Sequence, residues 1–69
     1  MDRLPVISSN LSSVGYDPSS SILEVEFIRG GVYQYYDVPE HVHSEFISSG
    51  SLGSYLHHSI KPSYAFSKI

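Results

Sequence analysis

Cysteine is absent from this chain of 69 residues. Neither a disulfide framework nor a cysteine-ligated zinc ion can therefore reinforce the fold, although both are common in very small domains. The absence of cysteine fits a reducing compartment, and we expect a cytoplasmic protein. No apolar run approaches the roughly 18 residues that a membrane span needs, and the first residues, MDRLPVISSN, lack the apolar core of a signal peptide. We expect no membrane partner.

Positive charge is scarce. Four Lys and Arg residues stand against seven Asp and Glu residues, so the formal net charge is −3. Binding that is driven by neutralising phosphates needs clustered basic residues, but Arg3, Arg29, Lys61 and Lys68 are scattered along the sequence. We therefore expect no tight, sequence-independent binding of RNA at physiological salt.

The length of the chain allows one domain with a small hydrophobic core. Residues 1–9 are expected to form a flexible lead-in and residues 10–69 the folded domain. Apolar residues then follow patterns that predict three strands, two helices and a short final strand. Since only the helices can cover the apolar face of the sheet, the expected fold class is α+β. It consists of a small antiparallel sheet, a three-strand meander plus a short C-terminal strand, covered on one face by two helices.

The turn between the second and third predicted strands decides which tyrosines face the core. A two-residue loop would put Tyr33 and Tyr35 on the acidic, solvated face of the sheet. A three-residue loop, Arg29 to Gly31, sets Phe27 opposite Tyr33 and separates apolar from polar side chains better. We therefore expect Tyr33 and Tyr35 to lie in the core and Tyr36 to lie on the solvent side.

Helix signals follow this hairpin. Asp37 is expected to cap a first helix, with Pro39 in its first turn. The apolar stripe of that helix consists of Val42, Phe46 and Ile47. Ser51 is expected to cap a second, shorter helix, which Pro62 prevents from continuing. The alternating residues 64–69 are expected to return as the last strand.

The motifs in this order resemble a known family. They are SVGYD at 13–17, LEVEF at 23–27, the glycine turn, Tyr33-x-Tyr35, Val38-Pro39, Ser51-x-Gly53, and Ile60-Lys61 followed by Tyr64. From about Leu11 to Ile69 the chain is similar to the KTSC domain, which is named for its occurrence at the C-terminus of some bacterial lysyl-tRNA synthetases. The domain also occurs as free-standing small bacterial proteins. The resemblance implies RNA binding through the synthetase context, and it places the family's Tyr-x-Tyr motif on Tyr33 and Tyr35.

The candidate binding residues combine cations with aromatic rings. Those for nucleic-acid binding are Tyr36, Lys61, Tyr64 and Lys68. The lysines would contact phosphates and the rings would stack on bases. An ordinary structural interpretation exists for Lys61, because a cation after a helix end is favourable to the helix dipole. Tyr33 and Tyr35 are interpreted as structural residues of the core.

The histidines and serines do not form a recognisable reaction centre. His41 and His43 are two residues apart and His57 and His58 are adjacent, whereas helical metal ligands are normally four apart on one face. Pairing between helices, for instance of His43 with His57, stays open, but we expect surface histidines and no metal. No GxSxG-type turn marks any serine as a nucleophile. We expect no enzyme activity and no cofactor.

Two functions remain open. The first is a small non-enzymatic module that binds RNA or another single strand weakly, as the resemblance implies. The second is a protein-interaction module that docks through an exposed sheet face or an edge strand. An acidic surface that bears tyrosines suits the second on physical grounds, and the sequence does not name a ligand or a partner for either.

Overall fold

The computed structural model describes residues 1–69 and contains one sheet of five strands in the order β1-β2-β3-β4-β5. The strands are β1 (Leu4–Pro5), β2 (Leu11–Asp17), β3 (Ile22–Phe27), β4 (Gly31–Tyr35) and β5 (Phe66–Lys68). The helices are α1 (Glu40–Ser48) and α2 (Leu52–Tyr55), and α2 runs on into a π-helical turn (Leu56–Ile60). All neighbouring strands are antiparallel. The predicted α+β fold is confirmed, with five strands in place of four.

The additional strand comes from the segment that was expected to be a lead-in. Residues Leu4–Pro5 pair with Ser13–Val14 of β2. A Cβ atom at Gly15 would lie only 2.6 Å from the backbone carbonyl oxygen of Asp2. Glycine at this position therefore lets the N-terminal segment approach the sheet closely, and part of residues 1–9 belongs to the sheet.

One extra residue in β2 determines which of its side chains enter the core. The pairing register with β3 shifts between Leu11 and Ser13, so Ser12 is the inserted residue of a β-bulge. Strict alternation would send Leu11 and Val14, three positions apart, to opposite faces. Because the bulge changes the alternation, both side chains are buried beneath the helices. We call this helix-covered side of the sheet the inner face and the other side the outer face.

The β3–β4 hairpin has the predicted loop length in a different register. Its loop is Ile28–Gly30, and Phe27 pairs with Gly31 instead of Tyr33. Gly31 has φ 84°, a left-handed conformation that favours glycine. The loop starts one residue earlier than predicted, so each residue of β3 pairs with the β4 residue two positions earlier in the sequence than expected. A shift of two preserves the faces, and Tyr33 and Tyr35 lie on the inner face as expected.

The connection into α1 is built differently from the prediction. Asp37 adopts φ 58° and does not cap the helix. Pro39 occupies the N-cap position, and no side chain bonds to the helix start. The Tyr16 hydroxyl donates to the carbonyl oxygen of Val38 at 2.5 Å, and Val38 itself is fully buried. This connection is therefore fixed by packing against the sheet instead of by a capping side chain.

The second helix begins where the sequence predicts. The hydroxyl of Ser51 accepts a hydrogen bond from the backbone N–H of Ser54 at 3.3 Å, which confirms the expected cap. In the π-helical turn, the backbone N–H of Lys61 donates to the carbonyl oxygen of Leu56, five residues earlier. Pro62 follows immediately. Neither helix is long and apolar enough to cross a membrane.

The core lies between the inner face and the helices. Its buried apolar residues are Leu11, Val14, Leu23, Val25, Tyr35, Val38, Phe46, Leu56 and Ile60. Tyr35 is 2% exposed, so its predicted burial is confirmed, while Tyr33 is half-buried at the edge of the core. The predicted stripe of α1 is only partly correct, because Phe46 is buried whereas Ile47 is exposed.

Candidate functional site

An open groove of about 900 Å³ runs between the β3–β4 hairpin and the π-helical turn. Its lining residues are Ser9, Asn10, Leu11, Phe27, Ile28, Arg29, Gly30, Tyr33, Tyr35, Gly53, Leu56, His57, Lys61 and Phe66. Two of them, Arg29 and Lys61, are cations, and none is an aspartate or a glutamate. Since the whole chain has a formal charge of −3, this groove differs in sign from the average surface and favours an anionic ligand.

Aromatic rings form the sheet side of the groove. The rings of Phe27 and Tyr33 meet edge to face, with 5.4 Å between their centroids. The Phe66 ring tilts against Tyr33 and Tyr35, with centroid separations of 5.9 and 5.8 Å. Phe66 is nevertheless 57% exposed. Among the rings on the sheet side of the groove, it is therefore the one most available to stack on a ligand.

The π-helical turn positions Lys61 on the opposite wall. The Lys61 ammonium lies 5.3 Å from the centroid of the Phe27 ring, a cation–π contact. Leu56 and Ile60 are buried in the core and anchor the turn. The backbone of Lys61, which directly follows Ile60, is therefore held in place. Arg29 lies in the exposed hairpin loop at the rim. The two cations thus reach the same groove from two different elements.

The four predicted nucleic-acid residues are not brought together. Lys61 lines the groove. Lys68 pairs with Tyr33 at the end of β5, close to Gly31, and lies outside the lining. Tyr64 is half-buried and packs against the core. The grouping of Lys61 with Tyr64 and Lys68 as one basic-aromatic cluster is therefore replaced by a groove that contains only the first of them.

Tyr36 lies on the outer face, opposite the groove. Its hydroxyl donates to the Gln34 side-chain oxygen at 3.3 Å. Successive residues of a strand point to opposite faces, so the neighbour of the buried Tyr35 cannot reach Lys61. The assignment of Tyr36 to the same site as Lys61 is corrected on this ground.

Sequence reasoning missed several groove residues, among them Arg29, Phe27 and Phe66. Phe27 and Arg29 belong to the same hairpin, whereas Phe66 comes from the C-terminal strand, and only the folded sheet joins it to them. The alternation of Tyr64 and Phe66 in the C-terminal tail was a sequence pattern from which the position of Phe66 on the sheet could have been predicted. A strand at the edge of a sheet pairs with one neighbouring strand only, so an aromatic side chain on it stays partly exposed.

The outer face carries a buried carboxylate. Arg3 pairs with Glu24, whose other oxygen accepts from the Gln34 side-chain nitrogen at 2.9 Å. The Arg3 Nε donates to the Ser13 hydroxyl at 3.0 Å. Glu24 is only 5% exposed, although it lies on the polar outer face of the sheet. Burial raises the pKa of Glu24, but the hydrogen bonds from Gln34 and Arg3 outweigh burial and hold that pKa below its usual value.

A second carboxylate on the outer face is bound by the β-bulge. The hydroxyls of Ser12 and Ser13 both donate to one oxygen of Glu26 at 2.9 Å. Two consecutive residues can do this because the bulge sets both against Glu26. These bonds hold the pKa of Glu26 below its usual value. The outer face is therefore an internally bonded polar surface.

The histidines are distributed over separate contacts. His43 stacks on Tyr16, with 4.5 Å between ring centroids. The rings of His57 and His58 meet edge to face, with 5.0 Å between their centroids, and His57 lines the groove. No group of three or more His, Cys, Asp or Glu side chains is close enough to hold a metal ion.

Comparison with known proteins finds a matching family model and several similar proteins. The family model described as the KTSC domain matches residues 7–64. An uncharacterised protein of Stutzerimonas stutzeri is 42% identical over 64 residues, which cover 93% of this chain and 90% of that protein. A protein of Tsukamurella paurometabola is 37% identical over 60 residues, which cover 87% of this chain and 90% of that protein.

The similarity extends to a solved structure and to a larger protein. A crystal structure of a KTSC domain protein from Yersinia pestis matches with a TM-score of 0.96 and 43% identity, over 99% of this chain and 96% of that chain. A lysine–tRNA ligase of Nostoc sp. is 31% identical over 61 residues, which are 88% of this chain but 11% of the ligase. The protein described above, with its five-stranded sheet and its groove under the π-helical turn, belongs to the KTSC domain family.

Proposed function

We propose that this protein is a non-enzymatic binding module of the cytoplasm whose groove binds single-stranded RNA weakly. One observation carries the proposal: the groove combines aromatic rings with two cations and contains no carboxylate. Aromatic side chains stack on bases of any sequence, and nearby cations contact the phosphates between those bases. Phe66 supplies the exposed ring, and Arg29 and Lys61 supply the charge.

The comparison with the Nostoc ligase supports the same ligand. That protein is named as a lysine–tRNA ligase, and a segment of it is 31% identical to 88% of this chain. A domain carried by an enzyme that acts on tRNA lies near RNA. This support is an argument from context, and the chemical argument rests on the groove itself.

Weak binding follows from the number of charges. On single strands the logarithm of the binding constant falls by about 0.7 per phosphate contacted for each tenfold rise in salt, so two cations give a slope of about −1.4. One stacked base contributes roughly 1–3 kcal/mol. These contributions are consistent with micromolar or weaker affinity and a shallow dependence on salt.

Docking of a protein partner has less support. The outer face is occupied by the hydrogen-bonded groups around Glu24 and Glu26. The two strands at the sheet edges have two and three residues, which is short for strand addition. The groove is the surface whose chemistry selects a class of ligand.

Fluorescence anisotropy with labelled single-stranded RNA hexanucleotides tests the proposal. We expect saturable binding at low salt for the wild type. Lys61→Gln and Phe66→Ala should each weaken it by roughly tenfold, from the loss of one charge or one stacking ring. NMR chemical-shift changes on titration should centre on the groove residues.

Two control variants separate the groove from general effects. Ser44→Glu changes the net charge by the same amount as Lys61→Gln, but on the exposed side of α1. Tyr36→Ala removes a ring from the outer face. Both should bind like the wild type. Absence of saturable binding up to about 1 mM protein, which corresponds to about −4.1 kcal/mol, would reject the proposal, as would equal losses in the Lys61 and Ser44 variants.

A further inference from the structure

The hydroxyl of Tyr35 has no hydrogen-bond partner inside the protein, although the residue is only 2% exposed. Hydrogen bonds to protein oxygens engage the hydroxyls of three other tyrosines, Tyr16, Tyr36 and Tyr55. A buried tyrosine hydroxyl usually finds such a partner. The unpaired hydroxyl of Tyr35 is therefore an exception that needs a physical reason.

This hydroxyl opens into the groove. Every side-chain nitrogen or oxygen that is fully shielded from solvent in this protein has a hydrogen-bond partner. Because the hydroxyl of Tyr35 has none, its oxygen must account for part of the small exposed surface of the residue. Tyr35 lines the groove, and its ring is held between the core and Phe66. The hydroxyl is therefore presented to the groove from a fixed position.

The surroundings of the hydroxyl favour an anionic acceptor. The groove contains the cations Arg29 and Lys61 and no aspartate or glutamate. Burial and the nearby Tyr33 raise the pKa of Tyr35, so the hydroxyl keeps its proton at neutral pH and stays a donor. In a nucleic-acid strand the anionic acceptors are the phosphate oxygens, and tyrosine hydroxyls are among the groups that bind them.

We propose that the Tyr35 hydroxyl donates a hydrogen bond to a phosphate oxygen of the bound strand. This inference rests on the proposed RNA-binding function and assigns one of its contacts to a core residue. The hydroxyl gives up no internal bond when it binds the phosphate, and hydrogen bonds to charged acceptors are the stronger kind. Phosphate contacts carry no sequence information. The contact therefore strengthens the binding of every sequence equally.

The variant Tyr35→Phe tests this contact, because it removes the hydroxyl and keeps the ring. Fluorescence anisotropy is measured with three labelled RNA hexanucleotides, made only of uridine, only of cytidine and only of adenosine. We expect the variant to bind each strand roughly tenfold more weakly than the wild type does. Thermal unfolding should give an unchanged or slightly higher melting temperature, since no internal hydrogen bond is lost.

Tyr16→Phe is the matched control. It also removes one hydroxyl, but that hydroxyl donates to the carbonyl oxygen of Val38, and Tyr16 does not line the groove. This variant should melt at a lower temperature, because the buried carbonyl loses its donor, and should bind all three strands like the wild type. The two variants are thus expected to show opposite patterns of stability and binding.

Three results would overturn the contact and leave the RNA proposal standing. The first is wild-type affinity of Tyr35→Phe for all three strands. The second is a loss confined to one strand, which would indicate a contact to a base. The third is a clearly lower melting temperature of Tyr35→Phe, which would reveal a partner inside the protein. Absence of binding of any strand to the wild type would overturn both proposals.

Discussion

The guanidinium of Arg3 pairs with the carboxylate of Glu24 across the outer face of the sheet. Arg3 lies ahead of the first strand, whereas Glu24 lies in the central strand β3. The pair therefore fastens the N-terminal segment over the middle of the sheet. The carboxylate is almost fully removed from solvent and also accepts from Gln34, so it depends on these partners for compensation of its charge.

Removal of Arg3 should destabilise the fold. Arg3→Ala leaves a buried carboxylate with one hydrogen-bond donor fewer, and loss of a partner from a buried pair typically costs about 3–5 kcal/mol. Because the Arg3 side chain is partly exposed, we expect about 2 kcal/mol. Urea unfolding measures the change. The double variant Arg3→Ala/Glu24→Gln should recover part of it, and strictly additive losses would show that the two groups do not interact.

Truncation of Tyr35 should affect stability far more than truncation of its neighbour. Tyr35→Ala removes a buried ring and should cost about 3–5 kcal/mol, which threatens folding of a domain this small. Tyr36→Ala should cost about 1 kcal/mol or less, since surface substitutions have small effects. Thermal unfolding checks both, and Tyr35→Leu serves as a milder variant if the alanine variant does not fold. Unchanged melting of Tyr35→Ala would contradict the inner-face packing.

Substitution of Gly15 should loosen the N-terminal segment. In Gly15→Ala the new methyl carbon would lie 2.6 Å from the Asp2 carbonyl oxygen, so the segment has to move. We expect a loss of about 1–3 kcal/mol, the usual cost of overpacking. Gly50→Ala is the matched control, because no atom lies within 4 Å of its Cβ position. The control should be neutral or slightly stabilising in thermal unfolding, and similar results for both variants would argue against close packing at Gly15.

Stability should decrease as the pH falls below about 6.5. Burial lowers the pKa of His43 below 6.5, although Glu40 acts in the opposite direction. The unfolded chain therefore binds a proton at a pH where the folded chain does not. The stabilisation is complete above the unfolded pKa and is lost as the pH falls through the folded one. Glu24 and Glu26, whose pKa values are also lowered, add losses of the same sign below about pH 4.5.

The variant His43→Phe isolates the histidine contribution. It keeps an aromatic ring against Tyr16 but has no titrating group. Urea unfolding at several pH values between about 7.5 and 5 should show a smaller loss of stability in the variant than in the wild type. An identical pH dependence of the two proteins would show that His43 does not titrate differently in the folded state.

The faces of the sheet were predictable, while the register was not. Alternation in β3 placed Phe27 on the inner face, and the three-residue loop then placed Tyr33 and Tyr35 of β4 on the same face, both correctly. Registers that differ by two residues keep the same faces, so hydrophobic pattern cannot distinguish them. The observed register brings Gln34 opposite Glu24, where they form a hydrogen bond, and places Gly31 at the position that needs a left-handed backbone.

Local sequence signals also gave a wrong prediction where tertiary contacts determine the backbone conformation. Asp37 has the sequence of a helix cap, but packing of Val38 under the sheet turns Asp37 into a left-handed residue. The groove was not predictable as a site, because its parts lie far apart in sequence. The separation of Tyr36 from Lys61 was predictable in principle. Tyr36 follows a core-facing tyrosine, whereas Lys61 ends a helix that covers the inner face.

The short outer strands bear on how this protein behaves at high concentration. An open sheet exposes unpaired N–H and C=O groups along both edges, which can template the addition of further chains into fibrils. Here β1 has only two residues, one of them Pro5, which carries no N–H, and β5 has three, including the charged Lys68. Neither edge gives an incoming strand enough regular backbone to pair with. The same brevity that limits the sheet to a small core therefore protects the chain from edge-to-edge polymerisation.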